Sequence, residues 1–430
     1  MTPRNELTFL PDVTIHDRPC GSGKTTEIIE SLEHDEQYLI VVPLLSEIKR
    51  FIEDTDETKA KGFLKEPTTN HHPTKKDCLR DLLLSGENVV TTHALFVDIL
   101  ELSREGLLKG VHIIVDEVLS VVRRESGPQE KDWQEFYIGD GFADVCPITQ
   151  KVTPTQKWHD YVAKGTEKGC KDVLNVNLYR QAKAGCLYKI STGYFLWTFP
   201  PELFMAGSSL TVYTYRAEGS LMVPYLRKIG LEPTIISDPS LEEEWKRKAR
   251  ELITVKTIPS LSRVKLNDGS QDKYAVKGNK TAPRVQSALR VLRDGQLKDV
   301  DLNNVMLTCK KRLWYKNGRG PSETSGPEPG PFATKSKMFR GVNFVPNTTR
   351  GTNDFKHCTH LIYLYDQNPN HLHTGWLEIG ETYNVTSGKF ALTELIQWVW
   401  RSAIRDNKPI TLYLPSERMV GIFEDWRNSK

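Results

Sequence analysis

Short apolar, largely β-branched runs alternate with stretches at helical spacing near both ends of the chain. In the first half, residues 12–16, 37–44, 88–93, 111–117 and 208–215 predict strands. Two of them, QYLIVVPL and VHIIVDE, are apolar at nearly consecutive positions, as strands covered on both faces must be. Residues 25–32 predict the first helix. In the second half, strands are expected from Asn303 onward and at 341–346, 357–365 and 410–415. Residues 390–405 predict a helix, because Leu392, Leu395, Ile396, Val399 and Ala403 fall on one stripe. Strands alternating with helices imply βαβ units and parallel sheets, hence an α/β fold. The expected division is 1–237 and 238–430. The charged, weakly periodic residues 238–280 are expected to join the two. Residues 123–198 contain Trp133, Trp158 and Tyr161 without a clear period. They are too many for a plain loop, so an inserted subdomain or elaborated edge is expected. The Pro/Gly/Ser/Glu-rich run 321–332 predicts a loop.

Composition narrows the class. The chain has 430 residues with 38% hydrophobic and 9% aromatic content, enough for packed cores and too much for global disorder. Lys plus Arg exceed Asp plus Glu by 58 − 55 = 3. A balance so near neutral permits a nucleic-acid partner without requiring one, since local clustering of charge decides. No stretch approaches the ~20 apolar residues of a membrane span, and the first ten residues lack a signal-peptide pattern, so no membrane partner is expected. Seven cysteines without a CxxC pair predict a reducing compartment, the cytoplasm, and no disulfide framework or structural zinc site. His71, His72, His371 and His373 lack metal-ligand spacing and are expected in loops.

The chemistry begins at Arg18, where the chain reads RPCGSGKTT. After a strand and before a helix, Gly21-Ser22-Gly23-Lys24-Thr25-Thr26 predicts a phosphate-binding loop. Glycines let backbone N–H groups turn onto phosphate oxygens, Lys24 supplies a point charge for the β- and γ-phosphates, and the Thr25 hydroxyl suits Mg2+. Arg18 stands where the usual pattern has its first glycine. The strand VHIIVDE ends in two carboxylates, of which Asp116 is expected to hold Mg2+ and Glu117 to polarise an attacking water. ATP and Mg2+ are therefore the expected ligands.

Further motifs resemble those of superfamily 2 helicases and translocases over nearly the whole chain. VVPLLSEIK from Val41 resembles motif Ia, and VTTHALF from Val90 resembles the motif that precedes the acidic strand in several DNA helicases. The resemblance assigns Pro43, Thr92 and His93 to the nucleic-acid strand. SSLTVYT from Ser208 resembles motif III, with Thr211 and Thr214 both candidates. TTRGTND from Thr348 resembles motif V, which implies a strand contact for Thr348 and a place near the nucleotide for Gly351 and Asp354. QWVWRSAIR from Gln397 resembles motif VI. On a continuous helix Gln397, Arg401 and Arg405 would share one face, and an arginine reaching the γ-phosphate could neutralise transition-state charge. The family's second arginine falls at position 404, which is Ile404 here, so either Arg405 replaces it or Arg401 acts alone. The wording is most similar to small phage-encoded DNA helicases. It implies a helicase core of two RecA-like domains, the first with an insertion, working on single-stranded or forked DNA in the host cytoplasm, with RNA open. A monomer, alone or assembling with replication proteins, is implied as well.

Basic residues fit such a path. Lys310, Lys311 and Arg312 precede Trp314 and Tyr315, combining phosphate attraction with rings on which bases could stack. Lys335, Lys337 and Arg340 form a looser cluster. A packaging or terminase-type motor and a nucleic-acid-binding module with a degenerate site are the rival readings. The first needs an acidic nuclease cluster beyond Asp354 and Asp366, and the second is opposed by an intact Lys24, Thr25, Asp116 and Glu117.

Overall fold

Apolar residues on consecutive strand positions can be satisfied only between two layers of helices, and both halves of the chain adopt that solution. The structure, a computed structural model, describes residues 10–59, 61–167, 175–276, 278–321, 326–333, 337–349, 353–378 and 386–429. Strands β1 (Asp12–Asp17), β2 (Tyr38–Val42), β3 (Leu64–Lys65), β4 (Asn88–Thr92) and β5 (His112–Asp116) lie in the first sheet. Next come β6 (Val122–Glu125), β7 (Ala143–Val145), β8 (Val152–Pro154), β9 (Leu187–Ser191) and β10 (Tyr194–Thr198). The chain then returns to the first sheet with β11 (Ser209–Thr214) and β12 (Thr234–Ser237).

The first sheet has seven parallel strands in the order β12-β1-β11-β5-β2-β4-β3. Alternation along β2 shows how it is covered. Leu39 and Val41 enter one buried cluster with Val89, Val115 and Val212, while Ile40 and Val42 enter another with Ile28, Ile48 and Phe51. A second sheet follows, with β13 (Ile253–Thr257), β14 (Val305–Thr308), β15 (Asn343–Phe344), β16 (His360–Tyr363) and β17 (Ile410–Leu414). Its parallel order is β13-β17-β16-β14-β15. Leu361 and Leu412 pack on one side, and Ile362 and Tyr413 on the other.

Residues 122–198 carry their own antiparallel sheet, β6-β10-β9, and a buried cluster of Trp133, Tyr137, Trp158, Tyr179 and Phe195. No described helix is long and apolar enough to cross a membrane. The described cysteines are all free.

Residues 238–276, expected to join the halves, contain a helix at Pro239–Leu252, strand β13 at the edge of the second sheet and a helix at Asp268–Tyr274. Two expectations change. The helix expected over 390–405 runs from Ser387 to Val399 and stops at Trp400, and residues Ala403–Asp406 form a separate 3-10 turn. Finally, His371 and His373 lie on a helix, His371–Glu378, rather than in a loop.

Candidate nucleotide site and the cleft beside it

Between β1 and the helix Lys24–Glu30 the backbone makes a tight loop in which Gly21 and Gly23 take φ of +83° and +89°. These left-handed values favour glycine, because any side chain would crowd the carbonyl that follows. Arg18, at the position of the missing first glycine, clamps the loop to its own helix. Its Nε and Nη2 donate to the Glu27 carboxylate at 3.2 and 3.3 Å, and its Nη1 donates to the Ile236 carbonyl. The departure from the usual pattern is thus filled by an ion pair.

Strand β11 lies between β1 and β5, so the acidic end of β5 is one strand away from the loop. Lys24 spans the gap, with Nζ 2.7 Å from Glu117 Oε1 and both side chains buried. Burial alone would discharge Lys24, but the facing Glu117, Cys20 and Asp116 outweigh it and hold the ammonium above its ordinary value. Burial pushes the Asp116 carboxyl up. Glu117 has φ +63°, a left-handed conformation rare for a glutamate.

A polar cleft of about 270 Å3 opens here, and residues from both sheets line it: Gly21, Gly23, Lys24, Thr25, Thr26, Asp116 and Glu117 from the first, Arg401 and Arg405 from the second. The pairing of Arg401 and Arg405 does not come from helical periodicity. The helix ends before them, and the turn that follows redirects the chain so that both reach the loop. Ile404, at the family's arginine position, is buried in the core. A Cβ on Gly21 would lie 3.6 Å from Arg405 Nε. Arg401 is 4% exposed, and its Nε and Nη2 have no hydrogen-bond partner among the described residues. Asp116 Oδ1 is buried in the same state.

Sequence reasoning missed Cys20, Glu47 and Arg50, which also line the cleft. Arg50 Nη2 donates to Thr25 Oγ1 at 2.8 Å and pairs with Glu47. The signal was available: Glu47 and Arg50 sit three apart on the helix Leu45–Thr58, directly after the Pro43 strand end. Ser22 Oγ is buried without a partner among the described residues. The oxygens of Thr25 and Asp116 form a set that suits a hard cation such as Mg2+, and the unpaired Asp116 oxygen leaves room in its bonding for one.

Other expected residues lie elsewhere. Gln397, expected to face the nucleotide, is not among the residues lining the cleft, and its Nε2 donates to the Tyr215 carbonyl. Asp354 is exposed and outside the cleft lining, and Gly351 and Lys335 fall outside the described residues. Lys310 is held by Asp268 at 2.8 Å and by Asp272, so its charge is already neutralised. Trp314 is 1% exposed inside the second sheet's core and cannot stack on a base. Lys311 remains exposed. Thr214 Oγ1 is buried without a described partner, while Thr211 is half-buried.

A second cleft, of about 550 Å3, runs between the sheets on the other side of β5. Pro43, His93 and Thr348 line it together, and Thr92 lines an adjoining apolar pocket that also includes Pro43.

Comparison with known proteins agrees with this architecture. Residues 247–427 match the family described as the YonV C-terminal Rossmann-like domain. Over 96% of its length the chain is 24% identical to the SPbeta prophage-derived uncharacterized protein YonV of Bacillus subtilis (strain 168), covering 98% of that protein. Among solved structures, S. tokodaii Xpd4 aligns at a TM-score of 0.53 and 12% identity, over 96% of this chain and 94% of that one. The paired parallel sheets resemble the two RecA-like domains of helicases. A likeness at this identity concerns the fold alone.

Proposed function

We propose that the chain hydrolyses ATP between its two RecA-like domains and uses the cycle to move along single-stranded DNA and separate strands. The observation that carries this reading is Arg401. It reaches across from the second sheet, is 4% exposed, and keeps two nitrogens without a described partner beside Lys24 and Asp116. A buried cation with unmet donors is costly unless an anion completes it, and phosphate oxygens are well suited to a guanidinium.

In this mechanism the backbone from Gly21 to Thr26 cradles the phosphates. Lys24 exchanges its Glu117 partner for phosphate oxygens, which frees the Glu117 carboxylate to orient a water and take its proton. Arg401 and Arg405 neutralise charge developing on the transferred group. Thr25 and Asp116 would hold Mg2+, which when bound supplies further neutralisation of the phosphate oxygens. Arg50 must release or share the Thr25 hydroxyl for that to happen. The strand would lie along Pro43, Thr92, His93 and Thr348, with DNA favoured by the resemblance and RNA as the alternative substrate. Lys311, not the neutralised Lys310, would add phosphate attraction. Closure of the two sheets on ATP and reopening on release would alternate the grip.

The test is steady-state ATP turnover with single-stranded DNA, single-stranded RNA, duplex DNA and no polynucleotide. Single strand is expected to raise turnover, less so as salt rises, because neutralised phosphates release counterions. Lys24→Ala should abolish turnover, and Glu117→Gln should retain ATP binding without hydrolysis. A rate indifferent to every polynucleotide, or undiminished in either variant, would contradict the reading.

A further inference from the structure

The two clefts touch at one peptide group. The peptide joining Asp116 to Glu117 is held at both ends: its N–H donates to the Tyr213 carbonyl at 2.8 Å, and its C=O lies 2.9 Å from His93 Nε2. A backbone carbonyl only accepts, so His93 Nε2 carries the proton and donates. His93 itself lines the second cleft, together with Pro43 and Thr348. The side chains of Asp116 and Glu117 line the nucleotide cleft on the far side of the same peptide.

What this peptide controls is the Glu117 carboxylate. A glutamate at φ +63° is strained and persists only where its surroundings hold it. The angle φ describes rotation between that peptide plane and the Glu117 Cα, so turning the plane swings the carboxylate. The Tyr213 bond belongs to the sheet and is fixed by the register of β5 against β11. The His93 bond is the adjustable one. It comes from the first residue of a short helix, His93–Asp98, capped by Thr92, whose Oγ1 accepts from Leu95 N at 3.2 Å.

We infer that His93 is a positioning residue: through the 116–117 peptide it transmits occupation of the second cleft by a nucleic-acid strand to the Glu117 carboxylate. This rests on the ATP-driven reading above. His93 touches no phosphate of the nucleotide in this account and acts only by setting where Glu117 sits. A strand pressing on His93 would tighten or release the bond, and the hydrolytic water would gain or lose its base accordingly.

Two measurements test it. The first is amide hydrogen exchange over residues 112–121 in the parent, His93→Ala and His93→Gln, with His159→Ala as control. His159 bonds Tyr179 within the inserted sheet's core and should change nothing here. Faster exchange in His93→Ala, partly reversed in His93→Gln because its amide can donate, is expected. Exchange unchanged in His93→Ala overturns the proposal whether or not the parent hydrolyses ATP. The second is turnover with saturating single-stranded DNA. His93→Ala should lower kcat by ~10–100-fold, the scale of a misplaced catalytic group, with KM for ATP within about twofold of the parent, since binding through Lys24 and the loop is untouched. A kcat equal to the parent's, or a loss confined to KM, overturns the proposal. A parent that turns over no ATP would contradict the motor reading, and the exchange result would then decide the role of His93.

Discussion

The side-chain amide of Gln397 donates to the carbonyl oxygen of Tyr215 at 3.1 Å, tying the Ser387–Val399 helix of the second sheet to the end of β11 in the first. Both residues are buried. The Tyr215 hydroxyl in turn donates to Glu242 at 2.5 Å, and Glu242 also accepts from Arg216 and Trp426. The joint between the domains is therefore a polar network in which the motif VI-like glutamine holds the backbone next to Thr214. Gln397→Ala leaves a buried carbonyl unmet, which costs about 1–3 kcal/mol. The denaturant midpoint should fall accordingly while nucleotide affinity stays near the parent's. A midpoint equal to the parent's would mean the bond contributes nothing.

Gly219 sits in the same joint because nothing larger fits. A Cβ there would collide with Thr393 Oγ1 and come within 2.6 Å of the Lys389 carbonyl oxygen. Gly219→Ala should destabilise by about 1–3 kcal/mol through overpacking, measured by denaturant unfolding. Adding Thr393→Ala should recover only part of the loss, since the Lys389 backbone remains in place. Full recovery in the double variant would locate the strain in the threonine alone.

The helix His371–Glu378 packs its Trp376 and Leu377 into the first sheet's core, and His373 Nε2 lies 2.9 Å from the Tyr194 hydroxyl of the inserted sheet, to which Asn370 also donates. Burial, and then the neighbouring His371, lowers the His373 pKa to about 4 from 6.5. Between those values the unfolded chain binds a proton that the folded chain does not, so stability rises with pH across the window. The contribution is fully present above 6.5 and is lost as pH falls toward 4. Unfolding midpoints measured across this range should drop with acidity more steeply in the parent than in His373→Asn. Parallel profiles would contradict the assignment.

The sequence was most legible where chemistry or burial constrains every residue. Gly21, Gly23 and Lys24 cannot be exchanged in a phosphate loop, and β2, β5 and β16 carry apolar residues at consecutive positions because both faces are covered. Legibility failed where tertiary contacts override local pattern. The stripe ending at Ala403 continues past Trp400 although the helix does not, since apolar residues in the following turn enter the same core. Helical spacing therefore groups Gln397 with Arg401, and of the two only Arg401 lines the cleft. Trp314 looked like a stacking platform because composition cannot distinguish a buried ring from an exposed one. Lys310 looked free because its partners, Asp268 and Asp272, are some forty positions away. For Arg50 the local signal is its i,i+3 spacing from Glu47, but that spacing does not say that the helix lies over the loop and brings Arg50 to Thr25.

In the proposed mechanism one nucleotide site is built from both sheets, with Arg401 completing a phosphate held by Lys24. The most direct measurement is single-turnover ATP hydrolysis by Arg401→Ala in saturating single-stranded DNA, alongside nucleotide affinity. Affinity should remain within about tenfold of the parent while the hydrolytic rate falls by ~10³–10⁵-fold, the loss of an arginine that acts on transition-state charge. Arg405→Ala should show a similar or smaller loss, and Lys408→Ala, on the exposed turn beyond, almost none. Hydrolysis by Arg401→Ala at the parent rate would contradict the claim and leave the second sheet without a part in the chemistry.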